Sequence, residues 1–179
     1  MDGELLQGAD DGLQTRYVCS ECSAKFPVGE VLKFCPNCGA RVSSVSQTEV
    51  IDTRPKPHVL LVDDSLVARH RVVGILRNLG CDVSEAGDGK QALKMLDRAT
   101  PDLLVLEVNM PNMTGLDVLE KIRGTERHAS LRVVMLTGEA DVRVVARAIS
   151  LKANDYLRKD DSVEELTKRL AEHVDKCRS

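Results

Sequence analysis

From residue 58 to residue 177 the sequence alternates short apolar runs with longer segments of helical periodicity, and this alternation limits the possible folds most. The apolar runs, which predict strands, lie at residues 58–62, 81–86, 103–106, 133–136 and 156–157. The remaining segments, at residues 65–79, 89–98, 116–122, 141–151 and 163–174, repeat apolar residues at the spacing of amphipathic helices. Alternating strands and helices form a parallel sheet covered on both faces. The sequence therefore predicts an α/β domain with a five-stranded parallel sheet.

Polar residues follow four of these strands at the point where each strand ends. Asp63 and Asp64 follow the first strand, Glu107 the third, Thr137 the fourth and Lys159 the fifth. In sheets of this kind ligands bind at the carboxyl ends of the strands, so we expect these side chains to converge there. An adjacent pair of carboxylates with a third on a neighbouring strand offers the oxygen ligands that Mg²⁺ prefers. The alternative for the acidic pair is a solvated turn without a metal.

The segments around these residues, HVLLVDDS, PDLLVLEVNMPNMTG, VVMLTGE and ANDYLRKD, resemble the receiver domain of response regulators over about residues 57–177. The resemblance implies a flavodoxin-like (βα)5 fold. It also implies a site in which Mg²⁺ screens an aspartate that takes a phosphoryl group from a phosphohistidine or a small phosphodonor. A threonine hydroxyl and a lysine ammonium then hold the phosphoryl oxygens.

The resemblance assigns a role to each polar residue of this site. It makes Asp63 and Asp64 the acidic pair, with Asp64 the more direct ligand of Mg²⁺. A backbone carbonyl of Asn109 completes the ligands from the chain. The remaining matches are Thr137 as the switch threonine, Tyr156 as the switch aromatic residue, Lys159 as the salt-bridging lysine, and Met110, Pro111 and Gly115 as the loop after the third strand.

Two positions depart from the family. Glu107 stands where the family has its phosphoacceptor aspartate, and Asp160 stands where a proline often follows the lysine, so we expect no cis peptide bond there. The extra methylene moves the carboxylate about 1.5 Å outward, and a shift of about 1 Å can slow in-line attack by roughly 10²-fold. Three interpretations of Glu107 remain open: a fixed mimic of the phosphorylated state that reaches Lys159 and Thr137, an inert carboxylate paired with Lys159, or a weak phosphoacceptor. The first two exclude an ordinary phosphorylation cycle.

Four of the six cysteines lie together before this domain, as Cys19, Cys22, Cys35 and Cys38. The spacing C-x2-C-x12-C-x2-C is typical of a zinc site in which two tight turns each supply two thiolates, with iron as the alternative metal. Four protein ligands leave no position open, so the metal would be structural. The segment YVCSECSAKFPVGEVLKFCPNCGARV resembles a zinc ribbon, which implies binding to nucleic acid or to a protein partner.

These features divide the chain into a flexible N-terminus at residues 1–15, a zinc ribbon at 16–42, a linker at 43–57 and the receiver-like domain at 58–177. The linker is predicted because residues 43–57 are rich in Ser, Thr and Pro. We expect a cytoplasmic protein, since no apolar run approaches the roughly 18 residues that span a membrane and the N-terminus lacks a signal peptide's features. We also expect no output domain after residue 177.

The composition argues against a nucleic-acid partner. The chain has 28 acidic and 25 basic residues, a net charge of −3, only two Tyr and two Phe, and no Trp. Proteins that bind nucleic acid are usually basic or supply aromatic stacking platforms. We therefore expect a signalling protein without enzymatic activity that acts through protein partners. The alternatives are a phosphorylatable response regulator and a nucleic-acid-binding regulator that uses the ribbon.

The fourth predicted helix suggests one partner surface, the ribbon being the other candidate. Its apolar residues form two stripes, Val142, Val145 and Ile149 on one face and Val144, Ala148 and Leu151 on the next. A surface helix normally needs only one apolar stripe. We predict that the second stripe, tested at Val144 and Leu151, is a docking surface, since receivers usually dock through helix 4, strand 5 and helix 5. A more deeply packed helix is the alternative, and the oligomeric state is not determined by the sequence.

Overall fold

The structure, a computed structural model, describes residues 13–19, 21–22, 24–27, 34–35, 37–41, 48–52, 55–138 and 141–178. For residues 13–18, 25–27 and 48–52 it describes the backbone only. The chain divides into two units, Met1–Pro55 and Lys56–Ser179, which are described in turn. Within these described ranges no helix combines the length and hydropathy that a membrane span requires.

The described part of the first unit contains an antiparallel sheet of three strands. β1 (Leu13–Val18) lies in the middle, with β2 (Lys25–Pro27) on one side and β3 (Thr48–Asp52) on the other. β3 corrects our prediction of a linker over residues 43–57. Its sequence, TEVID, has three β-branched residues in five, and this local strand preference outweighs the Ser and Pro content of the surrounding segment. β1 also begins inside the segment 1–15 that we predicted to be flexible, while residues 1–12 lie outside the described part.

The second unit is a five-stranded parallel sheet with helices on both faces, which confirms the predicted fold class. Its strands are β4 (His58–Val62), β5 (Asp82–Ala86), β6 (Leu103–Glu107), β7 (Arg132–Thr137) and β8 (Asp155–Arg158). Its helices are α1 (Leu66–Asn78), α2 (Gly89–Arg98), α3 (Gly115–Arg123), α4 (Val142–Ser150) and α5 (Val163–Asp175). The strand order β5-β4-β6-β7-β8 is that of a flavodoxin-like fold.

A capping side chain starts each of the five helices. The caps are Ser65 for α1, Asp88 for α2, Thr114 for α3, Asp141 for α4 and Ser162 for α5. Each accepts a hydrogen bond from a backbone amide in the first turn, which stabilises a helix by about 1 kcal/mol. Each cap follows the preceding strand after a short loop, so the helices begin close to the carboxyl edge of the sheet.

Two apolar layers hold the helices against the sheet. Alternate strand residues such as Leu60, Leu104 and Met135 pack with α2, α3 and α4, and their neighbours Leu61 and Val105 pack with α1 and α5. The register pairs Val62 with Leu106 and Leu106 with Met135. The strands therefore end side by side, and the residues at their carboxyl ends share one edge of the sheet.

Candidate functional site: a lysine between two carboxylates, and a cysteine cluster

At the carboxyl edge of the sheet one lysine lies between two carboxylates. The Lys159 ammonium, Nζ, is 2.7 Å from Asp63 Oδ2 and is also ion-paired with Glu107 Oε2. Asp63 follows β4, Glu107 ends β6 and Lys159 follows β8, so the lysine side chain extends past the end of β7. We call these three residues the carboxylate pocket. The structure thus brings together three of the side chains that the sequence predicted to converge.

Each carboxylate of the pocket accepts a hydrogen bond from the backbone amide two residues further along the chain. The amide of Ser65 donates to Asp63 Oδ1 at 2.8 Å, and the amide of Asn109 donates to Glu107 Oε1 at 2.8 Å. The second oxygen of each carboxylate faces Lys159. Asp63 is 0% exposed and Glu107 2% exposed. These contacts therefore replace the hydration that the two buried groups have lost.

The pocket keeps Lys159 positively charged. Burial alone would lower the pKa of Lys159, but hydrogen bonds and charge from Asp63 and Glu107 raise this pKa above its ordinary value. A raised pKa in the folded state means that the ammonium contributes its stability at neutral pH. That contribution is lost only as the pH rises through the folded-state pKa, above about 10.4.

Thr137 and Tyr156, the predicted switch residues, interact with each other beside the pocket. Thr137 is fully buried at the end of β7, and Tyr156 is half-buried on the neighbouring strand β8. Burial raises the pKa of Tyr156, while a hydrogen bond with the Thr137 side chain acts in the opposite direction and the charge of Glu107 adds to the rise. Tyr156 therefore lies within electrostatic reach of Glu107.

Asp64 and Asn109, the other predicted ligands of Mg²⁺, are exposed at the rim of the pocket. Asp63 Oδ2 and Glu107 Oε2 are buried, and both face the Lys159 ammonium. Two such oxygens beside an exposed carboxylate suit a hard divalent cation such as Mg²⁺. A cation there would compete with the Lys159 ammonium for the same two oxygens.

Gly115 allows the loop after β6 to approach Glu107 closely. The amide of Gly115 donates to the carbonyl of Val108 at 2.8 Å. A Cβ atom at Gly115 would lie 2.0 Å from the backbone carbonyl oxygen of Glu107. No side chain fits at that distance, so this position of the predicted loop requires glycine.

Two arginines of α1 contact the backbone around the pocket, and the sequence analysis did not identify either. Arg69 Nη1 donates to the carbonyl of Asp63 at 2.7 Å, and its Nε donates to Glu85 Oε2 at 3.0 Å. Arg71 contacts the loop that follows Lys159. The available signal was the pair of arginines in the first turns of a helix that begins beside an acidic pair.

In the first unit the four cysteines form one cluster. The sulfurs of Cys19 and Cys38 are 3.7 Å apart, as are those of Cys22 and Cys35. All four sulfurs lie within 4.8 Å of one another. Tetrahedral zinc with Zn–S bonds of about 2.3 Å requires sulfur–sulfur separations of about 3.8 Å. The cluster therefore has the dimensions of a single zinc site.

Hydrogen bonds shape the two turns that carry these cysteines. The amide of Cys19 donates to the carbonyl five residues further on at 2.9 Å, and the amide of Cys35 does the same at 2.7 Å. Asn37 Nδ2 donates to Cys22 Sγ at 3.5 Å. This hydrogen bond, together with one from the Ala24 backbone and contacts with the neighbouring cysteines, lowers the pKa of Cys22 to about 6. The thiolate is the form that binds metal, so Asn37 favours the ligating state of Cys22.

On α4 the stripe that is exposed is not the one that we predicted to be a docking surface. Val142 is 80% exposed and Ile149 67% exposed. Ala148 is buried, and Val144 and Leu151 pack against the apolar layer of α2, α3 and α4. Our prediction that Val144 and Leu151 lie in a docking surface is therefore wrong. The two stripes differ by roughly 100° around the helix, and their periodicity does not indicate which one faces the sheet.

A sheet of this strand order with an acidic pocket at its carboxyl edge defines the receiver class of signalling domains. Residues 59–171 match the family model described as the response regulator receiver domain. This match covers more than half of the chain, and the chain belongs to that family.

Relatives of known name agree with this assignment. The chain is 37% identical over 113 residues to the chemotaxis protein CheY of Pseudomonas aeruginosa, covering 63% of this chain and 91% of that protein. It is 38% identical over 112 residues to the "Probable transcriptional regulatory protein TcrX" of Mycobacterium tuberculosis, of whose length it spans 47%. The solved structure of the Vibrio cholerae chemotaxis protein CheY4 has a TM-score of 0.62 and 31% identity, covering 66% of this chain and 98% of that chain. These homologues are response regulators, which supports a signalling role.

Proposed function

We propose that this chain is a signalling protein whose receiver domain acts through protein–protein contact without an ordinary phosphorylation cycle. The observation that carries the proposal is the ion pair between Lys159 and the buried carboxylate of Glu107. Glu107 stands where the resemblance places the phosphoacceptor aspartate. In a phosphorylated receiver the lysine contacts the phosphoryl group, whereas Lys159 of this chain contacts the Glu107 carboxylate.

Both oxygens of Glu107 are engaged, which disfavours attack on a phosphodonor. Oε1 accepts the Asn109 amide at 2.8 Å, and Oε2 is paired with the Lys159 ammonium. An attacking oxygen would have to leave one of these partners and also meet the phosphorus atom in line. A displacement of about 1 Å from that line slows the reaction by roughly 10²-fold. Phosphorylation of wild-type Glu107 is therefore expected to be slow at best.

The ion pair is compatible with two versions of the proposal. In one, Glu107 mimics the phosphorylated state, and in the other it is a structural carboxylate that neutralises Lys159. A group can shift a two-state equilibrium only by interacting differently with the two states. Mimicry therefore requires Glu107 to contact Lys159 or Thr137 differently in the active and inactive conformations.

Magnesium remains a candidate ligand of the pocket. Asp63, Asp64 and Glu107 would hold the ion, and a backbone carbonyl of Asn109 is the fourth contribution that the resemblance implies. In receivers the ion neutralises charge as the phosphoryl group is transferred. Because the Lys159 ammonium already pairs with Asp63 and Glu107 and would compete with a cation for their oxygens, we infer that this chain binds Mg²⁺ weakly.

The cysteine cluster carries the second part of the proposal, a structural zinc ion that holds a small N-terminal ribbon. Cys19, Cys22, Cys35 and Cys38 would be its ligands, and a four-thiolate site leaves no position for catalysis. We propose that this unit contacts a protein, because a chain with a net charge of −3 has no general attraction for nucleic acid. The whole protein would then be a cytoplasmic adaptor rather than an enzyme. Salt-sensitive retention on DNA would favour the nucleic-acid alternative.

The test of the receiver proposal compares backbone amide spectra of the full chain as wild type, Glu107→Asp and Glu107→Gln. Each is recorded with and without acetyl phosphate and Mg²⁺. Mimicry predicts that the wild-type spectrum coincides with that of phosphorylated Glu107→Asp, and that Glu107→Gln coincides with the unphosphorylated form. The structural version predicts that wild type and Glu107→Gln both coincide with unphosphorylated Glu107→Asp. A wild-type spectrum that changes with acetyl phosphate would reject both versions and favour a phosphorylatable regulator.

A further inference from the structure

Arg71 makes two hydrogen bonds that connect α1 to the loop after β8. Its Nη1 donates to the carbonyl of Lys159 at 2.6 Å, and its Nη2 donates to the carbonyl of Asp161 at 2.8 Å. We propose that Arg71 is a positioning residue for Lys159, which acts through the backbone to keep the lysine ammonium between Asp63 and Glu107. Nothing in the family resemblance assigns a role to this position.

The backbone of Lys159 is held on both sides. Its amide donates to the carbonyl of Thr137 at 2.7 Å, which continues the pairing of β7 and β8 by one residue. Its carbonyl accepts the guanidinium of Arg71. The sheet and α1 together therefore fix the direction in which the side chain leaves the backbone. A lysine side chain has four rotatable carbon–carbon bonds, so a fixed starting direction decides how often its ammonium reaches both carboxylates.

The turn at residues 158–161, which Arg71 contacts, has hydrogen bonds of its own, but these do not fix its position relative to α1. The amide of Asp161 donates to the carbonyl of Arg158 at 3.2 Å, and the amide of Arg158 donates to Asp161 Oδ2 at 3.3 Å. These bonds hold the turn together but do not place it relative to α1. The planar fork of Arg71, which bonds two carbonyls of the turn at once, provides that placement.

Helix α1 also contacts Asp63, one of the two carboxylates that pair with Lys159. Arg69 Nη1 donates to the carbonyl of Asp63 at 2.7 Å, and the amide of Ser65, the N-cap of α1, donates to Asp63 Oδ1 at 2.8 Å. Arg69 and Arg71 thus connect one rigid helix to the backbones of Asp63 and Lys159. The separation of the two charges is then set by α1 rather than by their attraction alone.

The experiment measures how fast Lys159 reacts with an amine-acetylating reagent in the full chain, with sites resolved by mass spectrometry. The variants are Arg71→Gln, Arg71→Lys and the control Arg77→Gln. Arg77 is exposed on α1, and its ion pair with Glu85 is long, at 4.0 Å, so its loss should matter little. The exposed Lys168 of α5 calibrates the reagent. A parallel measurement of amide hydrogen exchange in β7 reports whether the fold itself has loosened.

We expect acetylation of Lys159 to be about tenfold faster in Arg71→Gln, the order expected for the loss of one hydrogen bond from a charged donor. Arg71→Lys should show a smaller rise, because an ammonium cannot bond both carbonyls in a planar fork, and Arg77→Gln should match wild type. An unchanged rate in Arg71→Gln would overturn the inference. So would faster acetylation accompanied by equally faster exchange in β7, since that would be loss of the fold.

This inference rests on the proposed function only in that both use the carboxylate pocket. It concerns where Lys159 is held and not whether Glu107 accepts phosphate. A failure here would leave the phosphate test of the wild type unaffected, so the two ideas can fail separately.

Discussion

The ammonium of Lys159 is ion-paired with the carboxylate of Glu107 across the end of β7, from two strands that are not neighbours in the sheet. Lys159 also lies 2.7 Å from Asp63 Oδ2, so one cation is shared by the two buried carboxylates. In this receiver the contact of the lysine is thus supplied by the chain itself. Under the proposed function, the state of the domain would depend on this ion pair rather than on a phosphodonor.

Substitution of Gly115 should disturb the backbone of Glu107. A Cβ atom there would lie 2.0 Å from the Glu107 carbonyl oxygen. Gly115→Ala should therefore lower the free energy of unfolding by about 1–3 kcal/mol, as overpacking does, measured by urea denaturation. Gly74→Ala is the control, because Gly74 is exposed within α1 and a Cβ there meets nothing within 4 Å. That variant should gain about 0.5–1 kcal/mol, and equal effects of the two would contradict the close approach.

The first unit should depend on one metal ion. We expect about one zinc per chain by elemental analysis, since four thiolates within bonding distance of one point form a closed tetrahedral site. Replacing Cys35 and Cys38 by Ser should abolish the zinc and unfold residues 16–41 while the second unit keeps its amide spectrum. Cys177→Ser, which changes a thiol outside the cluster, should retain the zinc. Recovery of a folded first unit with neither zinc nor iron would contradict this prediction.

The two stripes of α4 should respond oppositely to charge. Val142→Glu combined with Ile149→Glu should change the free energy of unfolding by less than about 0.5 kcal/mol, because both positions are exposed. Val144→Glu should lower the free energy of unfolding by about 3 kcal/mol, because Val144 packs against the apolar core. If the exposed stripe of α4 is a docking surface, the double substitution Val142→Glu and Ile149→Glu should weaken association of the folded protein, measured by sedimentation velocity. Equal loss of stability in both variants would contradict the assignment of the stripes.

Asp155 should make the stability of the second unit depend on pH in the acid range. Its two oxygens are 2.6 and 2.7 Å from Arg169 Nη2, and Oδ2 is 2.8 Å from His173 Nε2. Burial alone would raise the pKa of Asp155, but the hydrogen bonds from His173 and Arg169 hold this pKa below its ordinary value. The stabilisation is therefore present above the unfolded-state pKa of about 3.9 and is lost as the pH falls through the lower folded-state pKa.

The measurement is urea denaturation of wild type and Asp155→Asn at a series of pH values. The variant should be less stable by about 2 kcal/mol at pH 7, the scale of hydrogen bonds to a charged group, and the difference should shrink below about pH 4. Asp82→Asn, which changes an exposed carboxylate on β5, is the control and should differ little from wild type. A difference that stays constant down to pH 2 would contradict the assigned ionisation.

Much of the second unit could be predicted from the sequence, because its signals are local. The buried strands are continuous apolar runs, each helix has a capping residue, and the polar residues stand directly after the strands. Asp63, Glu107 and Lys159 were expected at one edge, and the structure brings them into contact.

The remaining features depend on contacts between distant parts of the chain. Periodicity identified both apolar stripes of α4, but only packing shows that Val144 faces the core. The sequence analysis missed β3 because it used the average composition of residues 43–57, whereas the strand preference lies in Thr48–Asp52 alone. Arg71 bonds carbonyls 88 and 90 residues away, and no local pattern connects them.

The most direct test of the Glu107–Lys159 account is phosphate incorporation from acetyl phosphate with Mg²⁺, followed by intact-mass measurement. The account predicts no phosphoryl adduct on the wild type, because both oxygens of Glu107 are engaged and set wrongly for in-line attack. It predicts a Mg²⁺-dependent adduct on Glu107→Asp, since Asp63, Thr137 and Lys159 remain in place, and none on the control Glu107→Gln. Phosphorylation of the wild type at a rate comparable to Glu107→Asp would contradict the account and make this chain an ordinary receiver with an unusual acceptor.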